Sequence, residues 1–255
     1  MSIFFTVGIP RISAVFVLLA GCLLSPLLKA EQVSIAVTGN FDFTAEELKK
    51  EFELLTDHEV ILTPGTSSQL FGRILQGESF DIFLSDEAQR TAILEEDGKV
   101  ISGSRFTYAL GRLVLWSVNT RSLGPNVLME KDFELLALSN PRLSPYGRAA
   151  EEFLTKLNLW DELQDRIVMG PNIGQTYHFA ISGDVDMALI PFSQIIYGNY
   201  MQAGSYWPVP EQYYSPIEQQ AVLLSENSAA REFIAFMQSN AGSQVITGNG
   251  FNIPR

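Results

Sequence analysis

Cysteine occurs once in 255 residues, at Cys22, and histidine twice, at His58 and His178. A disulfide framework is excluded, and so is a metal centre built from Cys and His at ligand spacing. The zinc-protease pattern HExxH, the nucleophile elbow GxSxG and the P-loop are all missing, so those chemistries lack their parts. Cations are scarce as well. Seventeen Lys and Arg stand against 29 Asp and Glu, a formal net charge of −12, and the carboxylates are spread along the chain. Such a surface is not built to neutralise nucleic-acid phosphates or an anionic membrane. What remains, 46% apolar and 18% charged, is a globular chain long enough for one large domain or two lobes.

The first thirty residues contain no Asp or Glu, only Arg11 and Lys29 as cations, and an apolar run over 12–19 broken only by Ser13. This is the pattern of a secretory leader, a signal peptide over 1–30 ending at Leu28-Lys29-Ala30, which marks the mature protein for export. A second processing site competes: Leu19-Ala20-Gly21-Cys22 has the form of a lipobox whose cysteine would carry a lipid anchor. The first site is favoured because Leu23, Leu24, Leu27 and Leu28 prolong the apolar stretch beyond Cys22 and make a poor tether. Pro26 opposes a membrane-spanning helix over 12–28. Removal of 1–30 would take the charge to −14 and leave no cysteine.

After Glu31, short β-branched runs alternate with amphipathic stretches, the signature of βαβ units around a mainly parallel sheet. Strands are expected over 33–37, 60–62 and 81–84, and helices over 44–55, 67–75 and 88–96. Leu48, Phe52 and Leu55, for example, share one helix face. A strongly apolar strand over 112–118 opens a second series: strands near 135–138, 167–169 and 186–190, helices over 146–157 and 173–181. Residues 206–214 read as a surface connector, 217–224 as a long strand, and 229–237 and 243–246 as helices packing back. Passages between the two halves are expected near 112–118 and 217–224. They divide the chain into a first lobe of 31–113 with 222–255 and a second of 114–221, with a ligand cleft between them.

No acid, base or nucleophile has a partner in this pattern. His58 and His178 read as structural, and Glu46-Glu47, Glu95-Glu96-Asp97 and Glu151-Glu152 as solvated helix faces. What stands out is a set of small polar loops placed just before helices: Thr38-Gly39-Asn40, Gly65-Thr66-Ser67-Ser68, Ser144-Pro145-Tyr146-Gly147 and Asn172-Ile173-Gly174. Each taken singly is also an ordinary N-cap. Together at one cleft, their unpaired N–H groups and hydroxyls at the positive ends of helix dipoles would hold an anion without any cation. Distant carboxylates do not forbid this, since solvent screens them over about 8–10 Å.

These loops give the sequence its resemblance to the periplasmic molybdate-binding proteins of ABC uptake systems. It is carried by Ala36-Val37-Thr38-Gly39-Asn40-Phe41, Gly65 to Leu70, Phe80 to Ser85, Ser139-Asn140-Pro141 through Tyr146 to Ala150, Asn172 to Thr176, and Pro216 to Ala221. The resemblance implies an α/β type II periplasmic-binding fold: two lobes joined by two crossing strands and closing on a tetrahedral oxyanion. It implies a receptor and not an enzyme, with no cofactor. The ligand would be molybdate or tungstate, its molybdenum held only through oxygen. Partners would be a membrane permease and no nucleic acid, and the receptor is expected to be a monomer. By the same resemblance Asn40 and Ser67 would bind the anion from one lobe and the Tyr146 and Ile173 amides from the other. Many members have a ligand-binding tyrosine where this chain has Pro191-Phe192, and Thr38 is the residue expected to compensate. The same fold serving sulfate, phosphate or a small organic acid is the alternative.

Overall fold

The structure, a computed structural model, describes residues 1–3, 30–119, 121–198 and 200–254, so nearly all of the expected leader lies outside the described residues. In chain order the first part runs β1 (Gln32–Thr38), α1 (Asp42–Leu55), β2 (Glu59–Gly65), α2 (Ser67–Leu75), β3 (Ile82–Ser85), α3 (Ala88–Glu96) and β4 (Phe106–Gly111). The second part holds β5 (Leu113–Ser117), α4 (Pro125–Met129), β6 (Leu136–Ser139), α5 (Pro145–Lys156), β7 (Ile167–Gly170), α6 (Ile173–Ile181) and β8 (Met187–Pro191). A small hairpin, β9 (Ile196–Tyr197) with β10 (Tyr200–Met201), and β11 (Ser205–Pro208) complete it. The chain returns through β12 (Ile217–Leu223), α7 (Ser228–Gln238) and α8 (Asn240–Gly248).

Two five-stranded sheets result, ordered β2-β1-β3-β12-β4 and β11-β5-β8-β6-β7. They are mixed and not mainly parallel. β1 is parallel to β2 and β3, and β6 to β7 and β8, but β12, β5 and β11 run antiparallel to their neighbours. Each sheet is buried on both faces, which is why its inner strands read as unbroken apolar runs. In the first, Val33, Ile35 and Val37 face Leu48, Phe52 and Phe233, while Ala36 and Phe83 face Leu70 and Leu94. In the second, Leu113 and Leu115 pack with Phe153 and Leu138, while Val114 and Trp116 pack with Ala180 and Ile190.

β4 and β5 are nearly continuous, and the chain passes between sheets at Arg112, within the expected stretch. The return differs from expectation. All of β12 belongs to the first sheet, so the chain changes sheets before Ile217 and not at 222. Residues 206–214 are not a plain connector either. Trp207 pairs with Leu115 as part of β11, its ring lies 5.9 Å from that of Phe153, and the Tyr214 hydroxyl accepts the Leu113 N–H (3.2 Å). The Pro and aromatic content that suggested a loop instead suits an edge strand, where proline removes no ladder bond that is needed.

Strand register decides where the loops emerge. Thr38 pairs with Gly65, and Val37 with Leu84, so the segments after β1, β2 and β3 leave the same sheet edge. Ser139 pairs with Gly170 in the other sheet, so the segments after β6 and β7 leave together as well. Gly147, in the first turn of α5, allows the helix to sit on β6: a Cβ there would lie 2.2 Å from the Ser139 carbonyl oxygen and 2.8 Å from the Asn140 carbonyl. Gly147→Ala is therefore expected to lower stability by about 1–3 kcal/mol, the usual cost of overpacking, read as a reduced urea midpoint at unchanged slope.

Candidate functional site

The loops leaving those two edges enclose a cavity of about 340 Å³. Thr38, Gly39 and Asn40 line it from the turn before α1, and Thr66, Ser67 and Ser68 from the start of α2. From the second lobe come Leu143 and Ser144 before α5, and Asn172, Ile173 and Gly174 at the start of α6. Among the described residues that line it there is no Lys, Arg or His, and one ionisable group, Asp86. His58 is elsewhere, buried with Nδ1 accepting the Glu31 N–H (3.1 Å) and Nε2 facing Glu232 (3.3 Å). His178 is exposed on α6.

Each helix start leaves amide donors over. On α2 a capping box uses the Thr66 hydroxyl for the Gln69 N–H and the Gln69 side chain for the Thr66 N–H (both 3.2 Å). The amides of Ser67 and Ser68, at the first two helical positions, lie outside that exchange. On α6 the Asn172 side chain caps the Gln175 N–H (2.9 Å), which leaves the Ile173 amide at the cavity. α5 begins with Pro145, so its first amides are those of Tyr146 and Gly147, and neither residue is among those that line the cavity.

Ser144 is the N-cap of α5 but makes no capping bond. Its hydroxyl is buried, 3% exposed for the residue, and has no hydrogen-bond partner although the residue lines the cavity. An unpaired buried hydroxyl costs about 1–3 kcal/mol unless something else bonds to it. Sequence reasoning took this loop for its amides and missed the side chain. The N-cap signature that hides it is the same one that would have flagged it, since a Ser before Pro at a helix start can turn either way.

Asn40 behaves differently from expectation. Its Nδ2 donates to the Gln219 side-chain oxygen (2.8 Å) and toward the Tyr146 hydroxyl (3.4 Å), and its Oδ1 accepts from the Thr38 hydroxyl (3.0 Å). The side chain is thus used up in a buried network that spans both lobes, and Thr38 spends its only hydroxyl proton inside that network. Asn40 lines the cavity, and its backbone N–H has no hydrogen-bond partner among the described residues. Tyr146 reaches the network through its hydroxyl, which burial holds un-ionised, its pKa pushed up by desolvation. At the Pro191-Phe192 segment, the Ser193 hydroxyl donates to the Asn40 carbonyl (3.0 Å), and Gln194 supplies a side-chain amide to the cavity wall.

Ser67 sits between two acceptors, its hydroxyl 2.5 Å from the Asp86 carboxylate and 3.0 Å from the Ser85 hydroxyl. Asp86 is 6% exposed. Burial raises its pKa to about 6, the Ser67 hydrogen bond opposes the rise, Glu87 adds to it and Arg90 offsets part of it. Arg90 lies just outside the wall, bonded to the Ser68 hydroxyl (2.6 Å) and to Glu87 (2.7 Å).

Two α/β lobes, two passages of chain between them and a polar cavity walled by loops of both define a solute receptor. The chain belongs to the bacterial extracellular solute-binding protein family, whose model matches residues 33–252, and within it the chain is ModA-like. It is 36% identical over 226 residues to the molybdate-binding protein ModA of Rhodobacter capsulatus, covering 87% of this chain and 88% of that one. It is 32% identical to the ModA of Azotobacter vinelandii over 95% and 98% of the two chains. The periplasmic molybdate-binding protein of A. vinelandii superposes with a TM-score of 0.81 at 33% identity, covering 88% of this chain and all of that one. The fold is the type II periplasmic-binding fold.

A carboxyl whose pKa is raised in the folded protein stabilises the fold only while protonated, so its contribution is present below pH 4 and lost as pH rises through about 6. At neutral pH, without ligand, Asp86→Asn is expected to be more stable than the parent by up to about 3 kcal/mol, the equivalent of a two-unit shift. The gap should close toward pH 4 in urea titrations at the two pH values.

Proposed function

We propose that this protein is an extracytoplasmic receptor that binds molybdate between its lobes and delivers it to the membrane permease of an ABC uptake system. The observation that carries the reading is the cavity itself: helix starts from both lobes offer neutral donors to one space, and one buried hydroxyl, that of Ser144, has nothing else to bond. The names of the relatives supply the ligand. The family consists of transport receptors and not enzymes, and molybdate is ligand and not cofactor.

In this reading the first lobe donates the amides of Asn40 and Ser67 and the Ser67 hydroxyl, and the second donates the amides of Tyr146 and Ile173 and the Ser144 hydroxyl. Thr38 and the Asn40 side chain position the first turn and touch no ligand. Gln194 takes the place of the tyrosine that many members carry. A cavity of 340 Å³ holds on the order of ten waters at about 30 Å³ each, far more than four oxygens displace. The lobes therefore close on the anion, and the fit of the closed cavity to the wider metal oxide discriminates against sulfate. Tungstate, of the same shape, is bound as well. The leader over 1–30 exports a monomer to the periplasm with cleavage after Ala30, and a lipid anchor at Cys22 is the other outcome.

A thermal-shift panel of molybdate, tungstate, sulfate and phosphate on residues 31–255 tests the reading. A ligand at a hundred times its Kd stabilises by about 2.7 kcal/mol, a rise of roughly 5–10 °C for a chain of this size. Molybdate and tungstate should give that rise. Sulfate or phosphate raising Tm with molybdate silent would transfer the function to another oxyanion.

Calorimetric titration of two variants separates the donors. Ser67→Ala and Ser144→Ala should each weaken molybdate binding by about 1–3 kcal/mol. Ser144→Ala should do so with no loss of stability in the free protein, because it deletes a hydroxyl that had no partner. Full affinity in Ser144→Ala would remove that side chain from the site.

A further inference from the structure

A carboxyl in the wall of a cavity that receives a dianion is a contradiction of charge, and the hydrogen bonds around it show how it is resolved. Ser67 has one hydroxyl proton, and that proton points at the Asp86 carboxylate. With Asp86 ionised, Ser67 turns only lone pairs toward an incoming oxyanion, and two like charges would share a space with few waters. With Asp86 protonated, the bond reverses: the carboxyl O–H donates to Ser67 Oγ, and Ser67 donates to the ligand. Ser85 need not change, since its hydroxyl reaches the Glu87 carbonyl (3.1 Å) and accepts the Glu87 N–H (3.1 Å).

We infer that Asp86 makes oxyanion capture proton-coupled: each dianion that enters the cavity brings one solvent proton onto the Asp86 carboxyl, which turns the Ser67 hydroxyl from a donor to Asp86 into a donor to the ligand. The inference rests on the reading of the cavity as an oxyanion site. No protein atom touches the metal, which is bound only through its oxygens, and no covalent bond other than O–H forms or breaks. Asp86 also lines a second cavity of about 170 Å³, between α3 and α5, which gives the proton a second way in.

The charged and titratable groups around Asp86 do not supply the proton's neutralising effect by other means. Glu87 on its own chain segment opposes ionisation and Arg90 favours it, but Arg90 is paired with Glu87. Across the second cavity Arg148 is paired with the same Glu87 (3.3 Å), beside Glu152 and Glu218. Tyr108 and Tyr146, from β4 and α5, are held un-ionised by burial. The free carboxyl, poised at about 6, is mostly ionised at pH 7.5, so at that pH nearly every binding event has to take up a proton.

The test is isothermal titration of the unsubstituted protein with molybdate at pH 7.5 in a series of non-phosphate buffers of differing ionisation enthalpy. The slope of observed enthalpy against buffer enthalpy should report uptake of close to one proton per site. The apparent Kd should rise about tenfold per pH unit above pH 7. In Asp86→Asn the uptake should vanish and the affinity become flat between pH 6 and 8. Tight molybdate binding with no uptake and no pH dependence overturns the inference and leaves the receptor reading standing. Absence of molybdate binding at every pH overturns that reading and the inference with it. Should the Asn variant not fold, the buffer series on the unsubstituted protein decides alone.

Discussion

An anion held without cations depends on unpaired dipoles being gathered and kept dry, and the rest of this molecule is arranged around that constraint. A helix start leaves amides unbonded as a matter of geometry. One such start is only a cap. Here starts from two lobes share one space because parallel register fixes where their strands end: Thr38 beside Gly65 on one sheet, Ser139 beside Gly170 on the other. The packing of α5 directly on β6, permitted by Gly147, sets the start of that helix beside the space, where Ser144 lines the wall.

The polar groups behind the donors are as consequential as the donors. The Asn40 side chain binds Gln219 from the returning strand and Tyr146 from the second lobe, and Ser193 bonds the Asn40 carbonyl. Three distant stretches of chain therefore converge on one turn and fix it. Arg90 and Arg148 both pair with Glu87, and Arg90 also bonds the Ser68 hydroxyl at the wall. Among the described residues that line the cavity, Asp86 is the one ionisable group.

Much of this was legible in the sequence. The helices at 67–75 and 173–181 were plain because apolar spacing, capping residues and terminating glycines agree, and 88–96 was marked by the glycine that follows it. The cavity loops were legible as polar turns before helices. The direction of each strand was not, since an apolar run has the same composition parallel or antiparallel, and a mainly parallel sheet was expected where the sheets are mixed. Nor could sequence tell which atom of a polar residue faces the cavity. Asn40 looked like a side-chain ligand, but its side chain is claimed by Gln219, 179 residues away. Ser144 looked like an amide position, and its hydroxyl is left buried without a partner. Asp86 was not singled out at all, because its burial against Ser67 depends on contacts that no local pattern encodes.

A crystal structure of the molybdate complex, with the metal located by anomalous scattering, bears most directly on the claim that neutral donors of both lobes trap the dianion. The account predicts the metal inside the closed cavity, with its oxygens 2.7–3.2 Å from Ser67 Oγ, Ser144 Oγ and the Tyr146 and Ile173 amides, and no Lys, Arg or His in contact. An anion seated on a cationic side chain, or held by one lobe alone with the other donors beyond 3.5 Å, would contradict it.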